Sequence, residues 1–176
     1  SCSWCKSVTY IPDQLHWTEV VTSKPEGYHT DANGNVSISS AEGLAWLASV
    51  TNGLNGQSGY DLTDRNIIIT ADIDLSGYRW TPLDLMGCRV DGNHHTISGL
   101  YVNELNDKAA LIAEIRYGSV NNLNLSQCRV YGVNTVSGLV SNASDTPIQN
   151  CMVSGEVRGL WQVSGIVAFQ SRHEIA

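Results

Sequence analysis

The chain repeats itself at an offset of about 28 residues, and few sequence features restrict a fold so tightly. Val120-Asn121-Asn122-Leu123-Asn124-Leu125 reads against Ile148-Gln149-Asn150-Cys151-Met152-Val153, with apolar and amide residues in matching places. Further on, Val136-Ser137-Gly138-Leu139-Val140 reads against Val163-Ser164-Gly165-Ile166-Val167 at an offset of 27. A unit of this length cannot bury a core alone, so successive copies must stack on one another as a solenoid. Such a scaffold fixes an architecture and leaves activity to the sites it carries.

Apolar doublets extend the register towards the N-terminus. Ile73 and Leu75 lie 27 before Leu100 and Val102, which lie 23 before Leu123 and Leu125, with Cys151 and Val153 another 28 on. One residue separates each doublet, as in a strand with one face turned inward. These four strands predict one parallel sheet. Ala110-Leu111-Ile112, Gly138-Leu139-Val140 and Gly165-Ile166-Val167 predict another.

One helix is expected ahead of the strands, near residues 40–51. Ser39 and Glu42 have the spacing of a capping box, Leu44, Trp46, Leu47, Ala48 and Val50 supply an apolar stripe, and Asn52-Gly53 ends it. A lone amphipathic helix before a run of strands suits a lid on the open end of a β-solenoid. The predicted fold is therefore all-β, a right-handed parallel β-helix with a short N-terminal capping α-helix. The helix and rungs are expected over 39–176, after a lead-in over 1–38 with isolated strands, 14–21 among them.

Asn122 and Asn150 precede their doublets at equivalent positions. Either they turn inward and bond backbone groups of adjacent rungs, or they are surface turn residues; recurrence at one rung position favours the ladder. Ile175 falls where the next rung begins. The expectation is a fragment of a longer protein, or an open last rung covered by a second copy through self-association.

A net charge of −7 argues against a nucleic-acid partner, which needs clustered Lys and Arg. No apolar run is long enough to span a membrane. Charged residues make up only 15%, with plentiful Asn, Ser, Thr and Gly, as in β-rich extracellular proteins. An exported chain whose signal peptide has been removed is expected. Five cysteines leave at least one unpaired within the chain, and Cys2-x-x-Cys5 lacks the second pair a zinc site requires. No cofactor is implied.

The segment Asp91-Gly92-Asn93-His94-His95-Thr96-Ile97-Ser98-Gly99-Leu100 resembles the GLUG-repeat surface proteins, found in gut Bacteroidetes and in bacterial adhesins and IgA-cleaving peptidases. The order of segments is similar too: 41–48, then Ile73-Asp74-Leu75-Ser76-Gly77 with Trp80-Thr81-Pro82, then the Asp-Gly-Asn stretch, then Ser137-Gly138-Leu139-Val140-Ser141 and Ser164-Gly165-Ile166-Val167-Ala168. Ser141 and Ala168 stand where the repeat closes on glycine, and His95 where glycine is usual. The resemblance implies a right-handed parallel β-helix held at a cell surface, with attachment as its role and no established reaction.

Several residues are candidates for chemistry. Asp72 and Asp74 flank Ile73, so an inward Ile73 turns both carboxylates outward; with Asp91 they form the candidate acid set of a polysaccharide lyase or glycoside hydrolase. No basic partner accompanies them in the sequence. His94 and His95 are adjacent, and on a strand they face opposite ways. Asp31, Asn33, Asn35 and Glu42 follow a calcium loop only superficially, since Val36 stands where the sharp turn needs glycine. Tyr101, Tyr117, Tyr131 and Trp161 are candidate glycan or protein contacts, or else same-face stacks between rungs. The reading that results is an adhesion or ligand-binding module for a glycan or a surface protein. A carbohydrate-active enzyme is the alternative.

Overall fold

The computed structural model describes residues 14–105 and 108–173. Cys2, Cys5 and Ile175 lie outside them. The strands form parallel sheets wound into a β-solenoid of about five turns. Sheet 1 runs Tyr28–Thr30, Val36–Ile38, Asn66–Ile69, Arg89–Asp91, Ser119–Asn121, Ile148–Gln149, and only its first pair is antiparallel. Sheet 2 holds Ile73–Asp74, Thr96–Ser98 with Tyr101–Asn103, Asn124–Tyr131 and Met152–Arg158. Sheet 3 stacks Lys108–Ala109, Thr135–Ser137 and Val163–Ser164. Sheet 4 stacks Leu83–Met86, Ile112–Arg116, Val140–Ser144 and Val167–Ser171.

Alternation within each strand fills the interior with apolar columns. Ile67, Val90, Val120 and Ile148 are stacked partners in sheet 1, and Ile73, Ile97, Leu125 and Val153 in sheet 2. Leu83, Ile112, Val140 and Val167 do the same in sheet 4. Each fully buried aliphatic side chain contributes about 1.5–3 kcal/mol, which makes these columns the main source of stability.

The observed register corrects the expected one. Val102 pairs with Val130, not Leu125, and Leu125 pairs with Ile97. Each turn of sheet 2 carries two inward positions separated by a kink. Gly99 (φ 70°) makes that kink in one turn, and Gln127 (φ 53°) and Gly155 (φ 136°) in the next two. Matching the doublet after one kink to the doublet before the next produced the false spacing of 23. The later repeats pair as read, Val120 with Ile148 and Val136 with Val163.

Helix α2, Ala41–Asn52, covers the first turn with Leu44, Leu47 and Ala48 buried. Its cap is Ser40 rather than Ser39: the Ser40 Oγ accepts from the Gly43 N–H at 3.0 Å, so Glu42 is no capping-box partner. Gly53 (φ 66°) ends the helix in the left-handed region. Among the described residues before 39, the strands are not isolated. Val36–Ile38 pairs in parallel with Asn66–Ile69 and starts the parallel part of sheet 1, because Val36 and Ile38 continue the inward column. Nor is 14–21 a strand. Trp17–Val20 is a helical turn, α1, with the Trp17 ring buried and its Nε1–H donating to the Leu75 carbonyl at 2.9 Å. Burying that indole outweighs the alternation of the segment.

At the far end, Leu123, Leu125 and Leu139 are inside as expected, and Val153 is half-buried. Ile166, also expected inside, is 39% exposed, whereas its equivalent Leu139 is fully buried. No described turn lies over Ile166.

Candidate functional site

The sequence candidates do not converge on one place. Asp72 and Asp74 do face outward on either side of buried Ile73. Each is used locally, however. The Asp72 Oδ1 accepts from the Thr96 N–H at 2.9 Å and lies 3.1 Å from His95 Nδ1. The Asp74 Oδ1 accepts from the Ser76 N–H at 2.9 Å. These backbone donors hold both carboxyls below the usual carboxylate range. The Asp91 Oδ1 accepts from the Asn93 N–H at 2.8 Å and from the Asn122 amide at 3.3 Å. Of the two histidines, His95 meets Asp72, and His94 (φ 62°) sits in the turn between sheets.

Asp31 accepts from the backbone of Asn33 and Asn35 and from the Asn35 side chain, closing the hairpin loop between Tyr28–Thr30 and Val36–Ile38. Glu42 belongs to the first turn of α2. Among the described residues, no group of three or more His, Cys, Asp or Glu side chains could hold a metal ion.

The aromatic candidates separate as well. Tyr101 and Tyr131 meet edge to face at 6.2 Å, Arg129 lies 4.8 Å over the Tyr101 ring, and the Tyr131 hydroxyl donates to Glu156 at 3.1 Å. This is a same-face stack between turns. Tyr117 and Trp161 are exposed at turns.

Asn122 (φ 57°) and Asn150 (φ 51°) are both left-handed corner residues. Their side chains form a ladder, but along the outside. The Asn150 amide donates to Asn122 Oδ1 at 3.3 Å, and Asn122 donates in turn to Asp91. Gly138 is required by stacking, since a Cβ there would sit 2.5 Å from Val153 Cγ1 and 2.7 Å from the Gly165 carbonyl oxygen. A Cβ on Gly165 would meet nothing within 4 Å.

That ladder borders the polar outer face of sheet 1. Asn66, Arg89 and Ser119 stack in one column; Ile68, Asp91, Asn121 and Gln149 stack in the next. Together they line a shallow open groove of about 680 Å³. Arg89 is steadied by the Asp64 carbonyl, to which it donates at 3.0 Å.

A second feature escaped the sequence reading. On the outer face of sheet 4, Asp84 and Glu114 are stacked partners. Glu114 is buried and ion-paired with both Lys108 and Arg116. Asp84 stands at the mouth of a cleft of about 350 Å³ between sheet 4 and the loop that follows α2. Its carboxyl is pushed up by desolvation, and then by the Glu114 charge, despite the two nearby cations. A register shift between Ile112 and Glu114 inserts Ala113 and displaces the repeat, which hid this pair. The alternation of Leu83-Asp84-Leu85-Met86 was the available signal.

Among the described residues, no helix is long and apolar enough to cross a membrane. No protein-family model, curated protein or solved structure matches the chain.

Proposed function

We propose that the chain is a non-catalytic binding module of the GLUG-repeat type, exported to a cell surface, whose sheet 1 holds a glycan chain. The observation that carries this reading is the outer face of sheet 1, where Asn66, Arg89, Asp91, Asn121 and Gln149 line an open groove. Amide, guanidinium and carboxylate groups recur there at the strand spacing of about 4.8 Å, offering donors and acceptors to successive hydroxyls of an extended sugar chain. The segment order around Asp91 and around Gly138 supports the surface-protein reading.

The alternative is a carbohydrate-active enzyme using Asp72, Asp74 and Asp91. A general acid must hold its proton near the working pH. Asp72 and Asp74 hold theirs less readily than ordinary carboxyls, which favours binding over cleavage.

Calorimetric titration with a panel of neutral and acidic oligosaccharides tests the reading. A ligand from the panel should bind, and Arg89→Ala combined with Asn121→Ala should weaken it by about tenfold or more, as hydrogen bonds to a charged group and an amide are lost. Reducing-end and unsaturated-product assays should remain blank. Product formation abolished by Asp72→Ala or Asp74→Ala would replace this reading with the enzymatic one.

A further inference from the structure

The cleft beside sheet 4 has an electrostatic character that the polar groove of sheet 1 lacks. Its walls are the C-terminal end of α2 (Thr51, Asn52, Gly53), the loop residues Ser58 and Tyr60, and the outward side chains Asp84 and Arg116. Two cations stand near it and favour the charged form of Asp84, yet neither pairs with it. Lys108 and Arg116 both pair with Glu114. Among the described residues, Asp84 makes no ion pair or hydrogen bond of its own. Glu114, its neighbour across the strands, adds a second negative charge behind it.

The helix end adds to this. The C-terminus of a helix carries partial negative charge, usually answered by Lys, Arg or His in the last turn. α2 has no basic residue there. The cleft therefore brings together a helix C-terminus without a counter-charge, a lone carboxylate, and the exposed ring of Tyr60, which is 82% accessible. The Tyr60 backbone is fixed: its N–H donates to Ser58 Oγ at 3.1 Å and its carbonyl accepts from the Thr63 N–H at 3.3 Å. The ring lines the cleft and, among the described residues, stacks on no other ring.

Asp84, the helix end and the Tyr60 ring each favour a cation, the Arg116 charge on the same wall is taken up by Glu114, and the mixture favours a particular kind. A carboxylate and a helix C-terminus attract a compact ammonium. An aromatic face stacks on a sugar ring and also attracts a cation. The Asn52 amide N–H groups and the Thr63 hydroxyl proton are spent on backbone carbonyls, but Asn52 Oδ1, the Thr63 oxygen and the Ser58 hydroxyl keep capacity for sugar hydroxyls that the methylenes of a lysine could not use. The volume lies at the lower end for small-ligand clefts, enough for a short sugar segment. We propose that this cleft binds an amino-sugar unit bearing a free primary ammonium, seated against Asp84 and the α2 C-terminus with its ring on Tyr60. The site is separate from the sheet 1 groove and shares with it only the ligand class.

The probes are a β-1,4-linked glucosamine tetramer and its fully N-acetylated counterpart, titrated calorimetrically into the whole chain at low and moderate salt. The free-amine tetramer should bind, weaken as salt rises, and lose roughly three- to tenfold in affinity in Asp84→Asn, the range expected for an ion pair reinforced by a helix end. Tyr60→Ala should weaken it as well, while Arg158→Ala, on sheet 2 and in neither groove nor cleft, should leave it unchanged. Circular dichroism will confirm that each variant stays folded. Equal binding of the two tetramers, or an Asp84→Asn variant that binds the amine as tightly as the parent, overturns the proposal. So does tetralysine binding as tightly as the glucosamine tetramer, which would assign the cleft to peptides. Loss of neutral-glycan binding in the Arg89 and Asn121 variants is read separately, so either site can fail while the other stands.

Discussion

At the scale of single residues, backbone conformation and stacking distance matter more than side-chain chemistry. Asn122 illustrates this. Its side-chain links are long and lie at the surface, but its φ of 57° is one that alanine adopts only with strain. Asn122→Ala should therefore cost about 1–3 kcal/mol in urea melts, and Asn122→Gly distinctly less. Equal losses in the two variants would return the cost to the side-chain ladder. Gly138 and Gly165 occupy equivalent places but should respond differently. Gly138→Ala drives a methyl into Val153 and the Gly165 carbonyl, for about 1–3 kcal/mol. Gly165→Ala has open space and should stay within about 0.5 kcal/mol of the parent. Two glycines that read alike in sequence thus differ only in whether a turn lies over them.

At the scale of elements, the N-terminal helical turn α1 is docked by a histidine clamp. His16 Nε2 lies 3.2 Å from Glu104 and its Nδ1 lies 3.3 Å from Glu19. The bond to Glu104 raises the His16 pKa, against opposing contributions from burial and from Arg79. Because the folded value lies above the unfolded one of about 6.5, the stability it lends is complete below that pH. It is lost as the pH rises through the folded value. Limited proteolysis near residues 16–21 should accelerate as the pH rises from about 6 towards 8, and His16→Gln should flatten that dependence. A profile unchanged by the substitution would show that the clamp does not hold the segment.

The same scale explains what the sequence revealed. The later turns were legible because Val120, Val136 and their partners recur at nearly constant spacing with little loop between strands. The earlier turns were not, because the kink at Gly99 doubles the apolar signal within one turn. The α1 segment was misread because one buried tryptophan outweighed eight residues of pattern. Asp84 and Glu114 stayed hidden because Ala113 shifts them out of the repeat by one residue. The groove on sheet 1 was only half visible. Asp91, Asn122 and Asn150 were singled out, but Arg89 and Asn121 gain meaning only once the strands are stacked in register.

At the scale of the whole molecule, the two ends of the solenoid differ. α2 covers the first turn, whereas Ile166 and Phe169 in the last described turn are 39% and 44% exposed. A copy of this chain joining through that turn cannot continue head to tail, since the opposite end is covered. Association through it closes as a two-fold pair rather than a fibre. If copies of this chain pack through Ile166 and Phe169, light scattering across a concentration series will show a dimer that Phe169→Glu with Ile166→Glu returns to monomer. A monomer at every concentration would rule the pairing out.

The left-handed corners and the lid over one end also give the molecule a mechanical direction. Each turn adheres only to the turns beside it, so a force applied from the far side lifts one turn at a time, and each step breaks a short set of hydrogen bonds. Pulled from the other side, the chain must first dislodge α2 and the buried Trp17 indole of α1, and with them the packing of the first turns. A solenoid built this way yields gradually under load from one end and resists abruptly from the other.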